Sequence, residues 1–330
     1  MRLYKHSGYL NIEGLLMQPY TFNFFIGGRG TGKTYGILEY ILKYRKKVFF
    51  IRRTQAQADI VSKPEFNPFR PIDPSIIVRS ESKYHSAFYQ GDTCVGYISG
   101  LSTFAKIRGF DASDIDILFY DEFIPELHEM KIRHEDAALL NAYETVNRNR
   151  ELSGKDPVKL VCAANSNRID NIILQRFGLL EPLQKMIRTG REIWTDPERS
   201  VQLVYLSESP ISAAKKNTAL YQAVGRDSEF TQMSLDNQFA ELPENIISRS
   251  LDQYRILFRV DDLGVYVSRS GDLRLYVRRS KETAARSYAN TEQDKKRLRI
   301  ENPYLMQWFI AGIIDFESLA VYTEFKEYLT

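Results

Sequence analysis

The sequence contains few residues of the kinds that bind zinc or form disulfides. Cys94 and Cys162 are the only cysteines in 330 residues, each lies within an apolar strand-like run, and the four histidines are scattered. Neither a disulfide framework nor a zinc site is therefore expected. Both thiols are predicted to be buried in a protein of a reducing compartment.

Long apolar runs are also missing. No stretch approaches the roughly 20 apolar residues of a membrane helix, and the N-terminus, MRLYKHSGYL, lacks the apolar region of a signal peptide. We therefore expect no membrane partner and a location in the cytoplasm.

Neither sign of charge is in large excess. There are 45 Lys and Arg residues against 42 Asp and Glu, which gives a net charge of +3. This value is too small to indicate nucleic-acid binding by the whole chain, so any basic surface must be local. The 43% of hydrophobic residues are enough for a real core, and the length predicts two domains.

Glycine is concentrated in residues 24–38, FFIGGRGTGKTYGIL. The pattern G-x-x-x-x-G-K-[ST] is met by Gly27, Gly32, Lys33 and Thr34, after a strand-like run and before a helical one, which is the context that a phosphate-binding loop requires. A Gly-rich turn without a ligand is the alternative, and this context makes it the weaker one. The predicted binding residues are Gly27, Gly28, Arg29, Gly30, Thr31, Gly32, Lys33 and Thr34.

Such a loop favours an anion because successive backbone N–H groups and the N-terminus of the following helix point at the same place. Lys33 would reach the β and γ phosphates, and the Thr34 hydroxyl would hold Mg²⁺. The predicted ligand is a nucleoside triphosphate, ATP, together with Mg²⁺.

Residues 115–123, IDILFYDEF, form an apolar run that ends in two adjacent carboxylates. Asp121 fits the Mg²⁺ shell of loop-type NTPases, and Glu122 would polarise the attacking water as general base. By itself the pair could be a strand that ends in solvated acids. Together with the phosphate loop it favours hydrolysis over nucleotide binding alone.

Further polar residues have two interpretations each. Asn165 follows a predicted strand, 158–163, so it is a candidate γ-phosphate sensor or equally a helix cap. Arg148 and Arg150 end a predicted helix, 134–150, where positive charge is favourable. One of them could instead be an arginine finger that reaches a neighbouring subunit.

Short apolar runs alternate with helical patterns through the first two hundred residues, which predicts an α/β fold with a mainly parallel sheet. The proline-rich residues 55–75 are predicted to form a long surface loop, and 169–187 one helical stretch. The predicted domains are 1–208, a helical linker at 209–248, and a small C-terminal domain at 249–330. Within the last, residues 269–299 carry ten basic and four acidic residues, a charge of +6.

Several motifs together resemble the terminase-like DNA-packaging ATPases of the small phi-29-like podophages. The resemblance rests on IGGRGTGKTYG (26–36), FAKIRGFD (104–111), ILFYDEF (117–123), ETVNRNR (144–150) and CAANSN (162–167). It implies a P-loop NTPase of the additional-strand catalytic-Glu (ASCE) type. It also implies a homopentameric ring at the portal, or connector, of an empty procapsid in the host cytoplasm, and ATP-driven translocation of double-stranded DNA.

The resemblance further implies that basic residues act in trans on the ATP of the adjacent subunit. Lys106 and Arg148 match by position, with Arg108 and Arg150 as alternatives. A solvated lysine in a turn is the simpler interpretation of Lys106.

The resemblance also implies a C-terminal domain of degenerate RNase H-like type that does not cleave DNA. Asp261, Asp262, Asp272 and Asp315 are the acids present there. The segment of charge +6 could hold DNA or a structural packaging RNA, or it could be a solvated face. Lys63 and Arg70 are weaker candidates for gripping DNA.

Other functions remain open from sequence. A helicase or recombination ATPase would use the same nucleotide chemistry, and a nucleotide-dependent switch would bind ATP with little turnover. A nuclease-active terminase is a further alternative.

Overall fold

The computed structural model describes residues 2–107, 111–126, 129, 132–165, 169–206, 209–215, 217–225, 243, 245–271 and 274–329. The chain divides into two compact units, Met1–Arg168 with Lys185–Ala240, and Ile169–Gln184 with Glu241–Thr330. Residues 169–184 thus group with the C-terminal unit, whereas the sequence analysis placed them in the first domain. The three-part division stays a prediction.

A nine-stranded sheet forms the centre of the first unit, in the order β3-β4-β5-β2-β6-β7-β1-β9-β8. From β5 to β9 all neighbours are parallel, and the antiparallel strands lie at the two edges. The predicted α/β class with a mainly parallel sheet is confirmed. The strands are β1 Phe22–Gly27, β2 Val48–Arg52, β3 Ile76–Ser82, β4 His85–Gln90, β5 Thr93–Gly100, β6 Ile117–Asp121, β7 Lys159–Ala164, β8 Ile193–Asp196 and β9 Val201–Leu206.

Helices follow the parallel strands, as crossover connections require. In the described part of the chain they are α1 Ile12–Leu16, α2 Lys33–Lys43, α3 Gln55–Val61, α4 Glu135–Asn147, α5 Ile172–Arg176, α6 Leu180–Thr189, α7 Pro210–Lys215, α8 Ala219–Val224, α9 Glu292–Glu301, α10 Leu305–Ile310 and α11 Leu319–Leu329. Short 3₁₀ turns occur at Pro64–Phe66, Leu101–Ile107 and Glu151–Ser153. None of these helices is long and apolar enough to cross a membrane.

Strand β7 lies between β1 and β6 and pairs in parallel with both. Phe24 of β1 is the register partner of Cys162, and Phe119 of β6 is the partner of Val161. The strand that precedes the phosphate loop is therefore separated by one inserted strand from the strand that carries Asp121. This insertion defines the additional-strand arrangement, and that prediction is confirmed.

The structure differs from the sequence prediction in several elements. Residues 55–75 are not one loop, because α3 forms at their start. Thr54 and Gln57 make a capping box, in which each side chain accepts a hydrogen bond from the other's backbone N–H, at 3.2 and 3.1 Å. The predicted helix at 169–187 is divided at Gly178, whose φ is +63°, and Cys94 is only half-buried. Strands β3 and β8 were missed.

The second unit contains a five-stranded sheet in the order β13-β10-β11-β12-β14. Its strands are β10 Tyr254–Val260, β11 Leu263–Ser268, β12 Leu275–Arg279, β13 Ser287–Tyr288 and β14 Ile314–Phe316. The first three are antiparallel neighbours, and β13 and β14 pair in parallel at the two edges. The RNase H-like character of this unit stays a prediction.

Candidate functional site

The phosphate loop connects the end of β1 to the first turn of α2. Gly30 and Gly32 have φ of +75° and +87°, the left-handed region that favours glycine. At Gly27 an added Cβ would lie 2.7 Å from the Leu206 Cβ, so the neighbouring strand β9 leaves no room for a side chain. The loop conformation therefore accounts for three of the glycines in the motif.

Lys33 is buried beneath this loop. Its Nζ donates to the carbonyl oxygens of Gly27 and Gly28, both at 2.8 Å, and lies 3.4 Å from Oδ1 of Asn165. Burial lowers the pKa of Lys33 to about 7, and the nearby carboxylates of Asp121 and Glu122 oppose this shift. The ammonium group thus lies where an anion would stabilise its charge.

Thr34 and Asp121 provide oxygen ligands of the kind that Mg²⁺ prefers. The Thr34 hydroxyl donates to Oδ1 of Asp121 at 3.0 Å, although the two residues are far apart in sequence. Burial raises the pKa of Asp121, while Arg52, Thr34 and Lys33 oppose the rise. A hydroxyl and a carboxylate beside a phosphate loop fit a divalent cation that is bound together with a nucleotide.

Arg52 is a site residue that the sequence analysis missed. Its Nη1 donates to Oδ2 of Asp121 at 2.9 Å, and its Nη2 forms an ion pair with Glu122. Arg52 ends β2, which pairs in parallel with β6, so both strands deliver their last residues to the same edge of the sheet. Its position directly after the apolar run 48–51, VFFI, was the only signal in the sequence.

Glu122 has an unusual backbone conformation for a residue with a side chain. Its φ is +56°, at the point where the chain leaves β6. Burial raises the pKa of Glu122, and the adjacent Arg52 opposes the rise. A carboxylate with a raised pKa is a better proton acceptor, which suits a general base.

The loop, Lys33, Thr34, Asp121 and Glu122 line one cleft of about 330 Å³. The loop, α2, β6 and β7 all contribute, because the carboxyl ends of parallel strands meet at the same edge. The lining residues are Arg29, Gly30, Thr31, Gly32, Lys33, Thr34, Tyr35, Asp121, Glu122, Ala164 and Asn165. The structure thus brings most of the predicted binding residues together with Glu122 and Asn165.

Two further contacts hold the outer side of the loop. Arg29 forms an ion pair with Glu126, which follows the Asp-Glu pair in the chain. Nζ of Lys215, at the end of α7, donates to the Arg29 carbonyl oxygen at 3.0 Å. The sequence analysis assigned neither Glu126 nor Lys215 to the site.

The described basic residues that were predicted to act in trans do not line this cleft. Lys106 is exposed, with its ammonium 5.2 Å from the centre of the Tyr84 ring. Arg148 is exposed at the end of α4, where its Nε donates to the Thr145 carbonyl oxygen. Arg150 donates instead to the carbonyl oxygens of Asp156 and Ile115. Arg108 is outside the described residues.

The acids of the C-terminal unit are engaged by neighbouring groups. Asp315 is buried and accepts a hydrogen bond from Nε of Arg249 at 2.6 Å. Asp262 forms an ion pair with Arg279, and Asp261 accepts from the Tyr328 hydroxyl. In the part of the chain that the structure describes, no group of three or more His, Cys, Asp or Glu side chains could hold a metal ion. Asp272 lies outside that part.

Comparison with solved structures gives the same fold at low sequence identity. The structure entitled "The Phi-28 gp11 DNA packaging Motor" matches with a TM-score of 0.68 and 17% identity, over 97% of each chain. The bacteriophage Phi-29 viral genome packaging motor assembly matches with a TM-score of 0.66 and 20% identity, over 97% of this chain and 98% of that chain.

Comparison of sequences extends the likeness to the family. The DNA packaging protein of Bacillus phage phi29 is 26% identical over 275 residues, 79% of this chain and 76% of that protein. The DNA packaging protein of Bacillus phage B103 is 23% identical over 282 residues, 82% of each. The sequence model of the podovirus DNA encapsidation protein (Gp16) family matches residues 4–302. The chain therefore belongs to the podovirus DNA encapsidation protein (Gp16) family, as its motifs predicted.

Proposed function

We propose that this protein is the ATPase subunit of a motor that moves double-stranded viral DNA into a preformed procapsid. Family membership supports the task, and one observation supports the chemistry: Glu122 lines the same cleft as the phosphate loop, Thr34 and Asp121. A protein that only binds nucleotide needs no carboxylate beside that loop.

Nucleotide binding follows from the geometry of the cleft. The loop amides and the N-terminus of α2 would hold the phosphates, and Lys33 would neutralise the β and γ phosphates. Thr34 and Asp121 would hold Mg²⁺, which when bound supplies positive charge to the phosphate oxygens. Asn165, at the end of β7, would contact the γ-phosphate.

Hydrolysis requires Glu122 to accept a proton from the attacking water. The ion pair with Arg52 occupies this carboxylate, so Arg52 must release Glu122 before the proton transfer. Arg52 then remains beside Asp121, where its charge opposes the rise in the pKa of that carboxylate. Arg52 would thus pair with both Glu122 and Asp121 in the idle site, and with Asp121 alone in the active site.

In a homopentameric ring at the portal, each subunit would supply basic residues to the ATP site of its neighbour. Arg148 and Lys106 are exposed, which suits residues that complete the site of an adjacent subunit. Arg150 is the weaker candidate, because it is half-buried, whereas Arg148 is exposed. In this arrangement each ATP would be hydrolysed between two subunits.

Nucleic acid would be held mainly through its phosphates, because a packaging motor must accept any sequence. Arg269, Lys281, Arg286 and Lys296 are exposed and have no ion pair among the described residues of 269–299. This basic segment would contact DNA or a structural packaging RNA, and Lys63 and Arg70 are exposed candidates in the first unit. The engaged acids of the second unit support the proposal that it does not cleave DNA.

The test is ATP hydrolysis with and without linear double-stranded DNA. Wild type, Glu122→Gln and Arg148→Ala are compared alone, and the two variants are also mixed. We expect turnover that DNA stimulates, a loss of at least about a hundredfold in each variant, and partial recovery on mixing. Recovery is expected because an intact Glu122 and an intact Arg148 then meet at some interfaces.

The opposite pattern would contradict the motor. Turnover that neither DNA nor mixing changes would leave an ATPase without a shared site. Lys155→Ala is the matched control, because Lys155 is exposed in the same unit and lines no part of the cleft.

A further inference from the structure

Lys215 brings a second ammonium group to the phosphate loop. It is the last residue of α7, in the segment that the sequence analysis assigned to a linker. Its Nζ donates to the Arg29 carbonyl oxygen at 3.0 Å, and a Cβ added at Gly30 would overlap with this nitrogen. Glycine at position 30 thus leaves space that the Lys215 side chain uses.

The start of α7 is fixed close to the loop by two neighbours. Strand β9 pairs with β1 up to Leu206, the register partner of Gly27, so the chain leaves the sheet beside the first loop residue. A Cβ added at Gly8 would lie 3.2 Å from the Pro210 Cβ, which places the first turn of α7 against the N-terminal segment. The backbone of α7 is therefore anchored, and the lysine side chain extends from it to the loop.

The charge around Lys215 is incompletely balanced. Its Nζ donates to the carbonyl oxygen of Arg29, and Nζ of Lys33 donates to those of Gly27 and Gly28, so both ammonium groups are bonded to consecutive residues of one loop. The Arg29 carbonyl is the one hydrogen-bond acceptor of Lys215 in the described part of the chain, so two of its three N–H donors have no acceptor there. A polyphosphate would neutralise both lysines and accept the remaining hydrogen bonds.

We propose that Lys215 is a nucleotide-binding residue that contacts the terminal phosphate of a bound nucleoside triphosphate from its own chain. This inference rests on the proposed function, because it assumes a triphosphate in the same cleft. On binding, the ammonium group turns from the Arg29 carbonyl oxygen to a phosphate oxygen. The end of α7 thereby distinguishes a triphosphate from a diphosphate.

The experiment measures the affinities of MgATP and MgADP by competition with a fluorescent nucleotide. All variants carry Glu122→Gln, so that ATP is not consumed. We expect Lys215→Ala to weaken MgATP binding about tenfold, the value for loss of one charge-assisted hydrogen bond, and to change MgADP binding less than threefold. Lys215→Arg should keep most of the affinity, and the control Lys155→Ala should match its parent.

The outcomes separate this inference from the proposed function. If Lys215→Ala binds MgATP like its parent while Lys33→Ala does not bind it, the inference is wrong and the proposed function stands. If the parent binds neither nucleotide, the proposed function fails. Equal weakening for MgATP and MgADP would also overturn the contact with the terminal phosphate. Lys215→Gln, which keeps most of the side-chain length but removes the charge, replaces Lys215→Ala if the alanine variant melts earlier without nucleotide.

Discussion

Lys33 carries a charge that depends on the contents of the cleft. Burial lowers its pKa to about 7 from the ordinary lysine value of 10.5. A bound polyphosphate acts in the opposite direction, because negative charge favours the ammonium form. Between about pH 7 and 10 the complex with nucleotide therefore holds more protons than the free protein.

The first prediction is that nucleotide binding takes up a proton at pH 8.5 and weakens as the pH rises from 7 to 9. Calorimetry in buffers of different ionisation enthalpy measures the uptake, which should approach one proton. Lys33→Arg should lose it, because arginine stays charged over this range. An affinity that is independent of pH in wild type would contradict the lowered pKa of Lys33.

The second prediction concerns Arg52, whose charge opposes the raised pKa of Glu122. Glu122 must be ionised to act as a base, so activity falls as the pH drops through its pKa. Arg52→Ala removes the opposing charge, and the acidic limb of the kcat/KM profile should move to higher pH. Arg52→Lys should keep the limb near its wild-type position. An unchanged limb in Arg52→Ala would show that Arg52 does not act on the base.

Among single residues, the sequence predicted those that belong to a motif with a fixed spacing. The loop from Gly27 to Thr34 is encoded by a local pattern, and the Asp121-Glu122 pair by its place after an apolar run. Arg52 and Lys215 were not predicted as site residues, because a single basic residue forms no recognisable motif. Their proximity to the loop arises only from the pairing of strands that are distant in sequence.

At the scale of elements, two consecutive arginines at the end of β2 bind acids in different places. Arg52 faces Asp121, whereas the next residue, Arg53, is 1% exposed and binds acids elsewhere. Its Nε donates to Glu135 at 3.0 Å and its Nη1 to Glu129 at 3.1 Å, while the Tyr120 hydroxyl also donates to Glu135. These contacts join β2 and β6 to the first turn of α4.

The third prediction is that Arg53→Met destabilises the protein by about 3–5 kcal/mol, because it leaves the buried Glu135 and the half-buried Glu129 without their cationic partner. Denaturation by urea measures the free energy of unfolding. Adding Glu135→Gln should recover part of the loss, since one unpaired charge is then removed. Arg70→Met, at an exposed position, should stay within about 0.5 kcal/mol of wild type. Equal stability of Arg53→Met and Arg70→Met would sink the role of this network.

Elements were predictable where one face is clearly apolar and less so at the edges of the sheet. Strand β3, IIVRSES, is mostly exposed beyond its first residue, so its polar composition concealed it. The prolines at 64, 68, 71 and 74 suggested a loop from residue 55, yet all of them lie beyond the end of α3. The capping box at Thr54 stabilises a helix at the start of this segment, although the composition of the whole segment is typical of a loop.

For the whole molecule, the net charge of +3 conceals an uneven distribution. Several basic residues of 269–299 are neutralised, including Arg274 by Asp315, Arg278 by Glu317 and Arg297 by Asp294. The exposed bases without such pairs are the ones that can release counterions from a nucleic acid. Composition located the basic segment, but only the structure separates its paired residues from the others.

The fourth prediction is that combined replacement of Lys281, Arg286 and Lys296 by alanine weakens DNA binding and reduces its salt dependence. Each lost phosphate contact changes the slope of log K against log salt by about 0.9, so a change of up to about 2.7 is expected. Fluorescence anisotropy at several salt concentrations measures it. Replacement of the exposed Lys83, Lys155 and Lys185 serves as the matched control. The same slope in both triple variants would place the DNA-binding surface elsewhere.

The insertion of β7 between β1 and β6 sets a fixed distance. Adjacent strands lie about 4.8 Å apart, so the backbone ends that carry the loop and the Asp-Glu pair are about 10 Å apart. That gap accommodates a phosphate group and a hydrated cation, and side chains such as Thr34 and Asp121 reach across it. Because a hydrogen-bonded sheet cannot easily stretch, the distance between the loop and the Asp-Glu pair stays constant around the reacting phosphate. Any movement that follows hydrolysis must then come from the segments attached to the sheet, and not from the sheet itself.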